Sequence, residues 1–265
     1  MKYTLGFIGC GNMGGALIQA ASKTLDGKQI AVCDFDQSKT AALQASCGII
    51  PTDCKDIANN AQFVILAVKP QAMRAAIHDF AAELRNREDV TIITMAAGLS
   101  MDSIRSMIDA DLPIIRIMPN TPVAVGKGMI LYTCTDVDSK TEEKFLSSFA
   151  KAGRFDKIPE DKIDAGSAVS GCGPAFAYMF AEALADGGVE CGLPRDKAIT
   201  YAAQTLLGAA EMLLQNGNPG ALKDAVCSPG GTTIAGVHAL EKAGFRNAAM
   251  DAVNAAYKRT LELKN

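Results

Sequence analysis

Two short glycine-bearing stretches carry most of the chemistry legible in this 265-residue chain. The first, Gly9-Cys10-Gly11-Asn12-Met13-Gly14, has the form G-x-G-x-x-G and stands between a short apolar run and a segment with helical spacing. In that context the first glycine permits a tight turn, the second lets backbone approach a pyrophosphate, and the third allows close helix packing. A helix start adds free N–H groups and about half a positive charge, which suits phosphate. The second stretch, Ser228-Pro229-Gly230-Gly231-Thr232-Thr233, also precedes a helical segment. Its glycines let successive N–H groups converge while Ser228 and Thr233 add hydroxyls, which makes a nest for a carboxylate. An ordinary capped helix start is the plainer reading; it explains Thr232 or Thr233 but not the Pro-Gly-Gly beside them.

Between these stretches lie further candidates. Asp34 follows Gly14 by twenty residues and ends the second apolar run, where a carboxylate accepts hydrogen bonds from an adenosine ribose and repels a 2′-phosphate. NADH is therefore expected in preference to NADPH, with Lys39 read as a solvated helix charge or, alternatively, as partial neutralisation of a phosphate. Ala67-Val68-Lys69-Pro70 and Ala96-Ala97-Gly98 end the third and fourth runs, where ligands of open α/β sheets bind, and their small residues admit a flat nicotinamide ring. Met118-Pro119-Asn120-Thr121-Pro122 follows the fifth run as a rigid loop that either orients Asn120 and Thr121 toward the ligand or only caps a turn. The only histidines, His78 and His238, fall on helical segments away from these motifs. Reduction of a ketone calls for a positioned acid, commonly histidine, whereas a cyclic imine can arrive already protonated. The missing acid thus favours imine over carbonyl reduction.

The elements that must position these residues follow from periodicity. Apolar, β-branched runs at 5–8, 29–34, 63–68, 91–95, 114–118 and 128–133 read as buried parallel strands. Helical spacing at 13–23, 38–46, 71–84, 101–108 and 141–151 alternates with them, so residues 1–160 are expected to form a doubly wound α/β domain of Rossmann type. From 161 to 265 only helical patterns remain. The segment 174–184 is apolar all round and must be buried on every side. The neighbouring segments 195–215, 232–243 and 245–263 are too few and too alanine-rich to enclose it, so a homodimer through this half is expected.

Composition bounds the rest. With 26 Lys+Arg against 29 Asp+Glu, a net charge of −3 and 49% hydrophobic residues, the chain is an ordinary globular protein without the basic patch that nucleic acid demands. Small molecules are the expected partners. No apolar run approaches the ~20 residues that span a bilayer, and the start of the chain reads as a strand rather than a secretory leader, so a cytoplasmic location is expected. The eight cysteines are scattered without C-x-x-C pairs, which suggests neither a metal site nor a disulfide framework.

Taken in order, Gly6-Phe-Ile-Gly-Cys-Gly-Asn-Met-Gly14, Val68-Lys-Pro70, Ala96-Ala-Gly98, Met118-Pro-Asn-Thr-Pro122, Ser170-Gly-Cys-Gly-Pro-Ala175 and Leu222-Lys-Asp-Ala-Val-Cys-Ser-Pro-Gly-Gly-Thr-Thr233 resemble the motifs of the pyrroline-5-carboxylate reductase family across nearly the whole chain. The resemblance implies NAD(P)H-dependent reduction of 1-pyrroline-5-carboxylate to L-proline, the last step of proline synthesis. It also implies a helical domain that dimerises, within assemblies as large as a decamer of five dimers. By resemblance Ser228, Gly231, Thr232 and Thr233 hold the substrate carboxylate, the Thr233 hydroxyl bonds the ring nitrogen, and Glu160 lies near the substrate, where it is either an iminium-stabilising group or a solvated acid at a helix start. Cys172, Phe176 and Asp34 depart from the serine, tyrosine and small polar residue usual at those places. Two other readings remain: a β-hydroxyacid dehydrogenase, for which no Gly-Gly-x-x-x-Gly-x-x-Lys stretch is found, and a non-catalytic NAD-binding redox sensor, for which no interaction module is found.

Overall fold

Every residue of Tyr3-Thr-Leu-Gly-Phe-Ile8 is buried, as expected of a parallel strand covered on both faces. This strand, β1 (Tyr3–Ile8), lies near the middle of the sheet in a computed structural model that describes residues 2–263. The others are β2 (Ile30–Cys33), β3 (Ile50–Pro51), β4 (Ala61–Leu66), β5 (Thr91–Thr94), β6 (Ile114–Met118), β7 (Gly128–Thr135) and β8 (Gly153–Lys157), in the spatial order β3-β2-β1-β4-β5-β6-β7-β8. Strand order reverses between β1 and β4, which creates the crevice where such sheets take ligands.

Seven helices cover this sheet: α1 (Asn12–Ala21), α2 (Gln37–Cys47), α3 (Cys54–Asn60), α4 (Met73–His78), α5 (Ala81–Arg85), α6 (Met101–Ile108) and α7 (Ser139–Ser148). Because side chains alternate along a strand, the sheet feeds two separate cores. Phe7, Phe63 and Ile65 pack with Leu17 and Ile18 of α1 and Phe145 of α7. On the other face Val64, Leu66 and Ile92 pack with Ile57 of α3, Ile77 of α4 and Ile104 of α6. Each such fully buried side chain is worth roughly 1.5–3 kcal/mol relative to leaving it in water.

Helices α8 (Glu160–Ser170), α9 (Gly173–Glu190), α10 (Arg195–Asn216), α11 (Pro219–Val226), α12 (Thr232–Lys242) and α13 (Phe245–Glu262) follow. Among the described residues the chain divides into one compact unit that ends at Cys172 and is joined by residues 256–263, and a second unit, Gly173–Ala255. Helix α8 therefore packs with the sheet, although the composition changes at its first residue. In the second unit α9 and α10 meet through Ala185, Ala198 and Ala202, and these three are its buried hydrophobic residues among those described.

Three expectations need correction, and three elements were not expected at all. The strand at 128–133 extends to Thr135 and is antiparallel to β6, because the nine-residue link between them is too short for the crossover that a parallel pair requires. The helix expected at 71–84 is a short 3₁₀ turn, Pro70–Ala72, followed by α4 and α5; Phe80 leaves helical geometry at φ −137° and is fully buried. The short edge strand β3, the largely exposed β8 and helix α11 have patterns too brief or too polar to register as apolar runs. Cys33 and Cys54 form a disulfide, with their Cα atoms 5.6 Å apart. Nothing in their spacing signals this pairing; the β2–α3 crossover brings them together.

Candidate active site

The glycine turn joins β1 to α1, and its three glycines meet three different demands. Gly9 has φ +98°, which a side chain rarely tolerates, and a Cβ there would stand 2.8 Å from the Ala67 carbonyl oxygen. A Cβ on Gly14 would stand 2.7 Å from the Gly9 carbonyl oxygen, so α1 packs directly on the turn. Gly11 has nothing within 4 Å of where its Cβ would be, so its backbone is open to an approaching group. It is also the residue before the first helical turn, and no side chain caps α1 there. A cleft of about 460 Å³ opens beside it, lined by Cys10, Gly11, Asn12, Lys39 and Ala124 among others. These residues fit a dinucleotide pyrophosphate: an open backbone, unclaimed helix N–H groups and room.

Asp34 stands just beyond β2 and is tied to the turn itself. Its Oδ2 accepts from the Cys10 N–H at 2.7 Å and its Oδ1 from the Asp36 N–H at 2.9 Å. Burial pushes the Asp34 carboxyl up, but the two backbone N–H groups outweigh that and hold it below its ordinary value. Burial, reinforced by the Asp34 charge, pushes the Cys10 thiol up to about 12, so it stays a neutral thiol. Lys39 pairs with Asp36 at 3.6 Å. The Cys33–Cys54 disulfide adjoins Asp34 and links the end of β2 to the start of α3.

The neighbouring strand ends carry the other expected residues. Ala67 donates its N–H to the Ile8 carbonyl at 2.9 Å, which brings the end of β4 against the turn, and Val68 follows half-buried. Lys69 is exposed and Pro70 begins the 3₁₀ turn. After β5, Ala96 is buried and Ala97 exposed. Asn12 is exposed at the start of α1, and Met13 is half-buried. All of these lie at the C-terminal edge of the parallel strands, as the crevice rule requires.

Asn120 and Glu160 are engaged differently from a ligand-facing group. The Asn120 side chain donates to the Ser170 carbonyl at 2.8 Å and accepts from the Met129 N–H at 2.9 Å. Glu160 Oε1 accepts from the Met101 N–H at 2.8 Å and pairs with Arg116 at 3.2 Å. Arg116 also reaches Asp164 at 2.9 Å, so β6 and the loop after it grip α8 near both ends: Arg116 at its start, Asn120 at its finish. Arg116 and Asp164 lie outside every motif of the sequence. The signal was present, since an arginine inside Ile-Ile-Arg-Ile-Met is a buried charge that must find carboxylates.

Ser228, Gly231, Thr232 and Thr233 belong to the second unit, where they form one turn. The Gly231 N–H donates to the Ser228 carbonyl at 3.0 Å, Gly230 has φ +68°, and Pro229 precedes it, which is a type II turn. A Cβ on Gly231 would collide with Ser228 Oγ, so the serine hydroxyl folds over the turn. Gly231 is the residue before α12 and no side chain caps that helix. Ser228, Thr232 and Thr233 are exposed beside the uncapped N–H groups, an arrangement that can accept a small carboxylate. Among the described residues no group of three or more His, Cys, Asp or Glu side chains is placed to hold a metal ion, and no helix is long and apolar enough to cross a membrane.

A mostly parallel sheet with a phosphate-fitting turn at its switch point, followed by a helical unit, defines the class: a nicotinamide-dinucleotide oxidoreductase. Residues 4–98 match a family model described as NADP oxidoreductase, coenzyme F420-dependent, and residues 160–263 match one described as pyrroline-5-carboxylate reductase dimerisation. The pyrroline-5-carboxylate reductases of Pisum sativum and Escherichia coli (strain K12) are each 39% identical to the chain over 99% of its length, covering 96% and 99% of their own. A solved structure of pyrroline-5-carboxylate reductase from Coxiella burnetii superposes with a TM-score of 0.90 at 30% identity, and that of Plasmodium falciparum pyrroline carboxylate reductase with NADP bound at 0.88 and 29%; both pairs are covered over 100% of each chain. The chain belongs to the pyrroline-5-carboxylate reductase family.

Proposed function

We propose that this chain reduces 1-pyrroline-5-carboxylate to L-proline, with residues 1–160 serving the dinucleotide and residues 161–265 serving the substrate and a homodimer, five of which assemble into a decamer. The observation that carries the substrate half is the uncapped start of α12 beneath the Ser228–Gly231 turn. It offers N–H groups and hydroxyls to one carboxylate and carries no acid that a carbonyl reduction would use. Ser228, Gly231 and Thr232 bind the carboxylate, and Thr233 presents its hydroxyl to the ring nitrogen.

The bound dinucleotide supplies the hydride. The protein's part is orientation and charge. Gly9, Gly11, Asn12, Met13 and Gly14 hold the pyrophosphate, Asp34 holds the adenosine ribose, and Ala67, Val68, Lys69, Pro70, Ala96 and Ala97 border the nicotinamide. The iminium carries its proton already, so delivery to its carbon leaves a neutral amine and no side chain has to donate in that step. Glu160 acts on the reaction through α8: its bonds to Met101 and Arg116 favour a positioning role over direct contact with the iminium. Asn120 likewise holds the end of α8 at Ser170 rather than touching the cofactor.

NADH is the preferred reductant. Asp34 stays ionised, and the cation nearest to it in sequence, Lys39, is shared with Asp36, so a 2′-phosphate would meet two carboxylates against one ammonium. The test is oxidation of NADH and of NADPH, followed by absorbance with the imine added. Turnover with a higher kcat/KM for NADH is expected. Absence of turnover with either would sink the function, and a clear NADPH advantage would sink the preference alone.

A further inference from the structure

Phe35 follows Asp34 at the C-terminal edge of the sheet and is 97% exposed, more than any other large hydrophobic side chain among those described. A single exposed apolar residue needs no explanation by itself. Here the ring is also held. The Lys39 ammonium stands 5.7 Å from its centroid, within reach of a cation–π contact, and is tethered by Asp36 at 3.6 Å. Asp36 in turn is fixed as the cap of α2 by the Ser38 N–H at 3.1 Å. Lys39 also lines the cleft that runs past Cys10, Gly11 and Asn12. A flat, almost fully exposed aromatic ring with an ammonium group over one side thus stands at the rim of the phosphate cleft, one residue past the carboxylate assigned to the ribose.

We infer that Phe35 is the platform on which the adenine of the dinucleotide stacks, backed by Lys39, so that this chain draws cofactor affinity from the adenosine end. This rests on the proposed assignment of the glycine turn and Asp34 to the dinucleotide. Base-on-aromatic stacking uses the π-face every purine has and suits a ring left exposed while empty.

The chain contains no tryptophan, so Phe35→Trp creates a single reporter at the platform. ADP-ribose, which has the adenosine end and no nicotinamide, is the probe. Its addition is expected to change the emission of the Phe35→Trp protein saturably, and Phe35→Ala is expected to weaken calorimetric binding of both ADP-ribose and NADH about tenfold. The melting temperature of Phe35→Ala should match the parent, since the ring buries almost nothing. Unaltered binding by Phe35→Ala, or an emission that does not move while ADP-ribose binds, overturns the platform and leaves the dinucleotide site standing. A change in assembly mass with unaltered binding assigns the ring to a subunit contact and overturns it equally. A parent protein that binds neither probe removes the dinucleotide assignment and the platform with it.

Discussion

The sheet unit and the helical unit spend their apolar residues in opposite ways. Around the sheet, Phe7, Phe63, Phe145 and Phe149 are essentially sealed inside one chain. In the helical unit Tyr178, Met179, Leu207, Met212 and Leu214 face outward, with Met179 70% and Leu214 72% exposed, while the buried contacts are between alanines. Surfaces of that kind mark an interaction site. The comparison teaches that the first unit is stabilised from within, whereas the second leaves apolar surface for another copy of itself to cover. Its match to a dimerisation domain agrees with that physical requirement.

The largest effect should come from breaking that dependence. A Met179→Glu, Leu214→Glu double variant is expected to dissociate the assembly toward the 27.8 kDa monomer by light scattering and to melt the helical unit early. An unchanged mass would show that these residues lie outside the interface. The sheet unit has its own vulnerable point. Reducing Cys33–Cys54 frees a loop of 21 residues, worth about 3 kcal/mol in the loop-closure account. Denaturant unfolding with and without a dithiol should reveal that loss; coincident curves would mean the bond adds nothing.

Smaller effects sharpen the contrast between the two binding turns. Thr233→Val should lower kcat/KM for the imine about tenfold, or ~1.4 kcal/mol, while NADH binding by calorimetry stays unchanged. An unaltered rate would remove Thr233 from the mechanism. Asp34 supports the cofactor turn only while ionised, and its pKa is depressed in the fold. Its contribution is therefore complete above the ordinary carboxylate value of about 3.9 and fades as the pH falls through the lower native one. Melting-temperature curves of the parent and of Asp34→Asn should be separated near neutrality and converge in strong acid. A gap that widens in acid would contradict the hydrogen bonds to Cys10 and Asp36.

Much of this was legible in the residues. Gly9 and Gly14 announced a tight strand-to-helix turn because each answers a steric demand that only glycine meets, Gly11 leaves the backbone beside them open, and the alternation of apolar runs announced the parallel sheet. The Pro229-Gly230-Gly231 turn before α12 was readable for the same reason, since proline and glycine constrain their own backbone. Asn120 and Glu160 were readable only as candidates. Each had several partners within chemical reach, and the packing of α8 on β6 decided in favour of Ser170, Met129, Met101 and Arg116.

What the sequence determined by itself was local: which short segments turn, which strands must be covered on both faces, and which helix half lacks enough bulk to bury its own surface. These follow from backbone constraint and period, properties that neighbours along the chain share. Tertiary structure alone decided the Cys33–Cys54 bond, the Arg116–Asp164 pair and the aromatic face of Phe35 beside Lys39. Each depends on atoms far apart in the chain or on which side of an element faces water, and neither spacing nor composition carries that information.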